Sequence, residues 1–432
     1  MSELAPAADR PVAVTEPELL LRRNRVYHLL WIGTTASETG LNVSTIAFPL
    51  LALATTGSPG VAGAVSAVNA VAQVAVGLPA GALVDRWDRK KIMVVCVLVR
   101  AVMLGLLALA AATGHVTTWL LLLTAAVAGA ATSLFDPAER ASLPLVVTRE
   151  QLPTALSVNT ARMHLGQLVG TSGGGFLFGL GRAVPFLADA VAHLVAFVTL
   201  LFVRLPKQER KPSPISTIPR DIVAGFAFLV RQPFMRSTTL LLLGLNLLFQ
   251  ALYLVVIVAA EQNGASPGKV GTMAAMFGVG GLIGALAAPR ISRSITPYQA
   301  VVGIIWLLAV LVPLMSVTSG ALVWGGFLAA TAFLAPTAYT VVGTQQILLT
   351  PDGMRGRLSS ATNLFNGGAQ AGGAALGGLL SQWLSGTQAM LGCAVGLAML
   401  GLAGAAAGSL RLPSSDQVRT SVNPERTDRP DG

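Results

Sequence analysis

The sequence predicts an all-α membrane protein of twelve transmembrane helices arranged as two pseudo-symmetric six-helix bundles, and three observations carry that expectation. The 432 residues are 53% hydrophobic and 11% charged, with a mean hydropathy of +0.68, far from the roughly 25% charge of soluble domains. Apolar runs of about 19 to 28 residues follow one another from Leu29 to Leu410, each long enough for a helix to cross a hydrocarbon core of about 30 Å. The second half of the chain also repeats the first. These features exclude a soluble enzyme, a single-pass receptor and a disordered scaffold.

Taken in order, the spans fall at about 29 to 55, 61 to 84, 92 to 113, 117 to 135, 152 to 180, 184 to 203, 238 to 260, 268 to 288, 298 to 317, 320 to 341, 358 to 384 and 388 to 410. The fifth and eleventh are Gly-rich. The expected organisation is a polar tail at 1–28, a bundle at 29–203, a linker at 204–237, a second bundle at 238–410 and a disordered tail at 411–432. The linker holds Pro206, Pro212, Pro214 and Pro219, then a stretch from Asp221 to Val230 with the pattern of a short amphipathic helix, and reads as a hinge or tether. The first span has no small-residue cleavage site after it and reads as retained.

The 29 Lys+Arg against 19 Asp+Glu give a net charge of +10, and the position of these charges decides their meaning. Arg22, Arg23 and Arg25, then Arg86, Arg89, Lys90 and Lys91, Arg140 and Arg149, the linker cations, Arg290 and Arg293, and Arg355 and Arg357 all fall on one side of the span pattern. The other side has Arg182 and Lys269. By the positive-inside rule both termini are cytoplasmic in a bacterial-type plasma membrane, and the basic excess marks topology rather than nucleic-acid binding. Cys96 and Cys393 lie inside apolar runs, so neither a disulfide framework nor a Cys metal site is expected.

The internal repeat is visible residue by residue. A shift of 208 places Pro59, Gly60, Gly63, Ala67 and Val71 on Pro267, Gly268, Gly271, Ala275 and Val279. A shift of 202 places Leu156, Ser157, Thr160, Gly166, Gly170 and Gly175 on Leu358, Ser359, Thr362, Gly368, Gly372 and Gly377. Two parallel six-span repeats are the economical explanation, and such duplications mark secondary transporters.

The link after the second span reads GALVDRWDRKK, with Gly81, Asp85, Arg86 and Arg89. It resembles the cytoplasmic signature of the major facilitator superfamily. A small residue at Gly81 permits close helix contact, and Asp85 can accept charge-assisted hydrogen bonds from the other half, holding one conformation closed on the cytoplasmic side. The plainer reading of the basic cluster is a topology anchor. The glycine usual between Arg86 and Arg89 is Asp88 here. FPLLALATTGSPG at the end of span one, FDPAERASLP after span four and LTPDGMRGRLSS before span eleven are similar to the enterobactin and macrolide exporter branch. That resemblance, covering Arg25 to Leu410, implies proton-driven export of a small amphipathic molecule such as a drug, antibiotic or siderophore, by alternating access in a monomer. It also implies a cavity lined by spans one, two, four, five, seven, eight, ten and eleven. The antiporter signature of span five is incomplete, because Gly166 and Gly170 are followed by Thr171 where the branch often has proline.

A charge near the bilayer midplane costs several kcal/mol and is expected to face a cavity or a partner. Glu38 lies about nine residues inside span one, roughly 14 Å deep at 1.5 Å per residue, and Asn42 and Thr45 share its stripe. Asn246, Gln250 and Tyr253 repeat this stripe in span seven at a shift of 208. Asn69 and Gln73 in span two, Asn159 in span five and Asn363, Asn366 and Gln370 in span eleven extend the polar lining, with interhelical hydrogen bonding as their alternative role. Glu38 is the expected proton-coupling residue. Arg162, about ten residues into span five from the same side, is its partner in view, in coupling or in a buried structural pair.

Arg100 in span three reads as snorkelling or helix-pairing, Asp189 and His193 in span six as an i,i+4 pair with a structural role or an outer proton relay. In the resembled family the third and sixth spans are peripheral. Trp31, Trp119, Trp324 and Trp383 read as interfacial anchors. The loops contain no metal cluster, phosphate loop or acid with nucleophile, so no cofactor and no enzymatic chemistry is expected. The same fold also serves an uptake permease, and a membrane assembly or sensor protein can retain it without transport.

Overall fold

A computed structural model describes residues 23–148, 151–205, 218–292 and 294–406. Within them 13 helices and no strands occur: α1 (Arg25–Thr56), α2 (Pro59–Arg86), α3 (Arg89–Thr113), α4 (Thr118–Val146), α5 (Leu152–Leu180), α6 (Val184–Phe202), α7 (Ile218–Arg231), α8 (Pro233–Gln262), α9 (Pro267–Ile291), α10 (Pro297–Val317), α11 (Ala321–Leu348), α12 (Asp352–Trp383) and α13 (Gly386–Ala406). Most of both tails, the linker prolines before 218, Arg149 and Arg293 lie outside the described residues, and the side chains of Asp85, His164, Arg355 and Arg357 outside the described side chains.

Among the described residues, ten helices are long and apolar enough to cross a membrane. The expectation of twelve spans therefore depends on α5 and α12, of 29 and 32 residues. These are the Gly-rich spans. At 1.5 Å per residue both exceed a hydrocarbon core. The remaining helix, α7, has 14 residues and occupies the expected amphipathic stretch.

Local chemistry sets the ends. Gly57 takes φ 64 to close α1, Ser58 accepts a hydrogen bond from the Val61 amide, and Pro59 opens α2. Asp88, the departure from the signature, caps α3 through the Lys91 amide at 3.1 Å. One boundary differs from expectation: α4 does not stop near 135 but runs to Val146. Phe135, Ala138, Ser142 and Leu143 keep a buried helical stripe going, and this carries Asp136 and Glu139 into a helix instead of a loop.

In the first half α1 packs on α5 and α6, α2 on α4, and α3 on α4 and α6; in the second, α8 packs on α12 and α13, α9 on α11, and α10 on α11 and α13. The halves meet along α2 with α12 and α5 with α9. Glycines make these crossings. A Cβ added at Gly63 would stand 2.7 Å from the Gly378 Cα, and one at Gly271 2.8 Å from the Gly175 Cα, so the backbones touch as small-residue crossings allow. Ser58 Oγ and the Gly60 amide donate to Gln382 Oε1, each at 3.1 Å, and tighten the same end. The contacts continue to mid-depth, where Val74 meets Gly367 and Leu168 meets Gly278. Beyond that level Tyr339, Thr340, Thr344 and Asn363 are exposed. At Gly81, near the opposite end, no described atom approaches a Cβ position. One end is sealed and the other is spread.

Candidate functional site

Between the halves lies a cavity of about 240 Å³ whose wall includes Thr45, Asn69, Gln73, Arg100, Asp189, Gln250, Tyr253 and Gln370. Phe48, Pro49, Val65, Leu254, Ile257 and Ala374 close it toward the sealed end. Six of the expected lining residues are thus brought together. The cavity sits where the polar stripes of α1 and α8 face one another, as their common spacing implies.

The other expected lining residues do different work. Asn42 donates to the Glu38 carbonyl at 2.8 Å and lies 3.4 Å from Glu38 Oε1, so it follows its own helix instead of facing the space. Asn246 donates to the Leu242 carbonyl at 3.0 Å and accepts from the Tyr339 hydroxyl at 3.0 Å. Asn159, Asn363 and Asn366 are not among the residues that line the cavity. Asn69 and Gln73 combine both roles: Asn69 donates to the Ala125 carbonyl at 2.9 Å, Gln73 donates to Asn69 Oδ1 at 2.7 Å, and Ser133 donates to the Gln73 carbonyl at 2.6 Å.

Glu38 is half-buried and lies outside the cavity wall. Gly166 of α5 packs against its side chain. The expected pairing with Arg162 is replaced: Arg162 donates to Glu139 Oε1 at 2.9 Å, with side chains 4% and 14% exposed. The extension of α4 explains the difference, because it delivers an acid to Arg162 that a loop would have left at the surface. Arg89 donates to the Ala141 carbonyl of α4 at 2.7 Å and so ties the α2–α3 link to its own half.

The α3 and α6 helices are not peripheral to this site. Arg100 does not snorkel; it is 3% exposed, donates to Thr132 Oγ1 at 3.3 Å and lines the cavity. Asp189 and His193 are fully buried. His193 Nδ1 lies 2.8 Å from Asp189 Oδ1 and 2.9 Å from the Asp189 carbonyl, while its Nε2 lies 3.1 Å from Ser37 Oγ. Ser44 donates to Asp189 Oδ2. The i,i+4 pairing is readable in the sequence, but its access to the cavity is not. Conversely α5, α9 and α11, expected as lining, contribute no wall residue here.

On the opposite wall Tyr253 is backed by two aromatic rings that do not themselves line the cavity. Phe249, Tyr253 and Phe277 form a cluster with ring centroids 5.5 to 6.3 Å apart, within the range for favourable aromatic pairs. Trp119 and Trp383 stand exposed at helix ends as expected, whereas Trp324 is buried and donates to the Met315 carbonyl at 3.0 Å. It packs one half instead of anchoring at the membrane surface.

Two six-helix halves with shared polar stripes around a central cavity define a polytopic membrane transporter. The sequence profile of the Major Facilitator Superfamily matches residues 30–374, and the chain belongs to that superfamily. Among curated relatives, the enterobactin exporter EntS of Escherichia coli O1:K1 is 27% identical over 334 residues, covering 74% of this chain and 77% of the relative. The EntS of Shigella boydii serotype 4 is 25% identical and covers 89% and 92%. Among solved structures, a bacterial homologue of the iron transporter ferroportin in an inward-facing state superposes with a TM-score of 0.71 at 16% identity, over 90% of this chain and 99% of that one. The nucleoside transporter NupG gives 0.69 at 14%, over 88% and 98%. These structural likenesses establish the fold.

Proposed function

We propose that the protein exports an amphipathic small molecule across a bacterial-type plasma membrane against an inward proton flow, by alternating access. The carrying observation is the cavity itself, which sets the Ser44 and Thr45 hydroxyls of α1, the amides of α2 and the charged Arg100 and Asp189 of α3 and α6 against Gln250, Tyr253, Leu254 and Ile257 of α8 and Gln370 of α12. Such a site suits a molecule with one polar and one apolar face, a description that covers a drug, antibiotic or siderophore. The exporter relatives support the outward direction.

Under the positive-inside orientation Arg182 and Lys269 lie at the sealed end, which is then the outer one, and the state described is inward-facing. The cavity is smaller than the roughly 300 Å³ at which drug-sized pockets begin, so cargo extends toward the spread end past Tyr339. In this reading the link bearing Gly81, Asp85, Arg86 and Arg89 closes the spread end in the alternate state, which accounts for the open space at Gly81. Glu38 carries the coupling proton: protonation from outside neutralises it and favours the inward-facing state, and release inside accompanies loading. Arg162 acts by holding Glu139 beside it.

The test is export of drugs and siderophores by an efflux-deficient bacterial host, with and without a protonophore, comparing the parent with Glu38→Gln. Protonophore-sensitive export lost in the variant supports the reading. Export by Glu38→Gln with the parent's pH dependence removes Glu38 from coupling, and accumulation instead of export turns the reading to an uptake permease.

A further inference from the structure

The first half holds more acid than base inside the membrane. Glu38, Asp136, Glu139 and Asp189 stand against Arg100, Arg162 and the exposed Arg140 beside Asp136. Arg162 is taken by Glu139. Buried charge without a partner is too costly to persist in this setting, so such an interior reaches neutrality by binding protons. Of these acids Asp189 is the one that is fully buried, borders the cavity and has a histidine in contact.

We propose that Asp189 and His193 form a proton-binding unit on the cavity wall, in which a bound proton and the Arg100 guanidinium compete as counter-charge to the Asp189 carboxylate. This rests on the proton-driven reading above and adds a second site to it. Asp189 and Arg100 both line the cavity, and Asp136 and Glu38 are the other acids near Arg100. Ser37 and Ser44 of α1 contact the unit, Arg100 of α3 shares the cavity wall with Asp189, Glu38 and Cys96 lie around that Arg100, and Lys90 donates to the Leu201 carbonyl at the far end of α6 at 2.7 Å. Asp136 reaches the same Arg100 from α4, and the Arg162 of α5 is engaged by Glu139.

The hydrogen bonds state what the proton changes. His193 Nδ1 has the Asp189 carbonyl as its acceptor, with the carboxylate Oδ1 2.8 Å away, so the neutral ring carries its proton there and Nε2 accepts from the Ser37 hydroxyl. Taking one proton raises the charge of the unit from minus one to zero, with the proton on the carboxylate or on Nε2. On Nε2 it reverses the Ser37 bond, because an imidazolium donates at both nitrogens. Both serines belong to α1, which is thereby coupled to the unit at two points close to Glu38 along the helix. Arg100, no longer needed by Asp189, turns to Asp136, Glu38 or an anionic group in the cavity.

The purified full-length protein in detergent, with no transported compound added, tests this. The four histidines are followed by ¹⁵N NMR and total proton uptake by an indicator dye as pH falls from about 8 to about 5.5, the range in which a histidine unit changes charge. The His193 ring signals are expected to change over this range, and the parent to take up about one proton more than the Asp189→Asn/His193→Gln double variant. The Asp189→Asn/His193→Gln double variant lacks that step, Glu38→Gln retains it, and Arg100→Gln moves it to higher pH because a competing cation is gone. His193 signals that stay constant in the parent overturn the proposal. So does an unchanged step in Arg100→Gln, which needs no folded double variant to be read. Constant His193 signals alongside protonophore-sensitive export sink this site alone, whereas titrating signals in a protein that exports nothing sink the efflux reading alone.

Discussion

The two halves share a backbone plan and differ in what they bury. Helices α1 to α6 enclose Glu38, Arg100, Asp136, Glu139, Arg162, Asp189 and His193, while in the second half every Asp, Glu, Lys and Arg of the spans falls near a helix end and no histidine occurs. The repeat sets the contrast position by position: Glu38, Asn42 and Thr45 correspond to Asn246, Gln250 and Tyr253, and Asn69 and Gln73 to Phe277 and Gly281. At the first of these positions a carboxyl in one copy is an amide in the other, and at Tyr253 and Phe277 the second copy has aromatic rings where the first has polar side chains. The difference teaches that a repeated backbone can bury ionisable groups in one copy and do without them in the other, and under the proposed function it assigns proton chemistry to the first half and apolar recognition to the second.

The sharpest way to break this comparison is to remove a buried charge from one pair. Arg162→Met leaves Glu139 alone and is expected to lower stability by about 3–5 kcal/mol, read as a fall in thermal midpoint of the purified protein, with Arg162→Met/Glu139→Gln recovering most of it. No loss in the single variant would mean that the pair is dispensable. Next in size, Gly271→Leu forces a side chain into the Gly175 backbone and opens the sealed end at a cost of about 1–3 kcal/mol. Spin labels placed across the α5–α9 contact should move apart, and an unaltered distance would disprove tight closure there.

Tyr253→Ala probes the aromatic wall. It is expected to weaken binding of aromatic cargo about tenfold, given about 0.5–1.5 kcal/mol per aromatic contact, while leaving the protonophore sensitivity of residual export intact. Loss of that sensitivity would erase the division between halves. The smallest effect is assigned to Asn246→Leu, which loses the Tyr339 hydrogen bond and about 0.6 kcal/mol of helix pairing. A large loss of export in this variant would place Asn246 in the cavity after all.

Particular residues show how far the sequence can be read. The i,i+4 spacing of Asp189 and His193, the stripes at Glu38 and Asn246, and the glycines at 63, 175 and 271 are all legible, because helical period and small-residue spacing are local properties. The pairing of Arg162 is not, since Glu139 stands in a segment whose Pro137 and charges imitate a loop. The position of Arg100 escapes the sequence because a depth along one helix says nothing about which side that helix turns to the centre.

By itself, the sequence determined that the chain crosses a membrane many times, that its halves are copies and that its charges mark one side, since hydropathy, repetition and charge bias need no partner to be read. Tertiary structure decided which polar groups share a space. The cavity joins residues from seven helices, from Leu41 to Ala374 by way of Arg100 and Asp189, and whether a buried polar group meets a cavity, a neighbour or its own backbone depends on the rotation and packing of each helix against the others. Those angles are set by glycine contacts across the bundle rather than by any stretch of sequence.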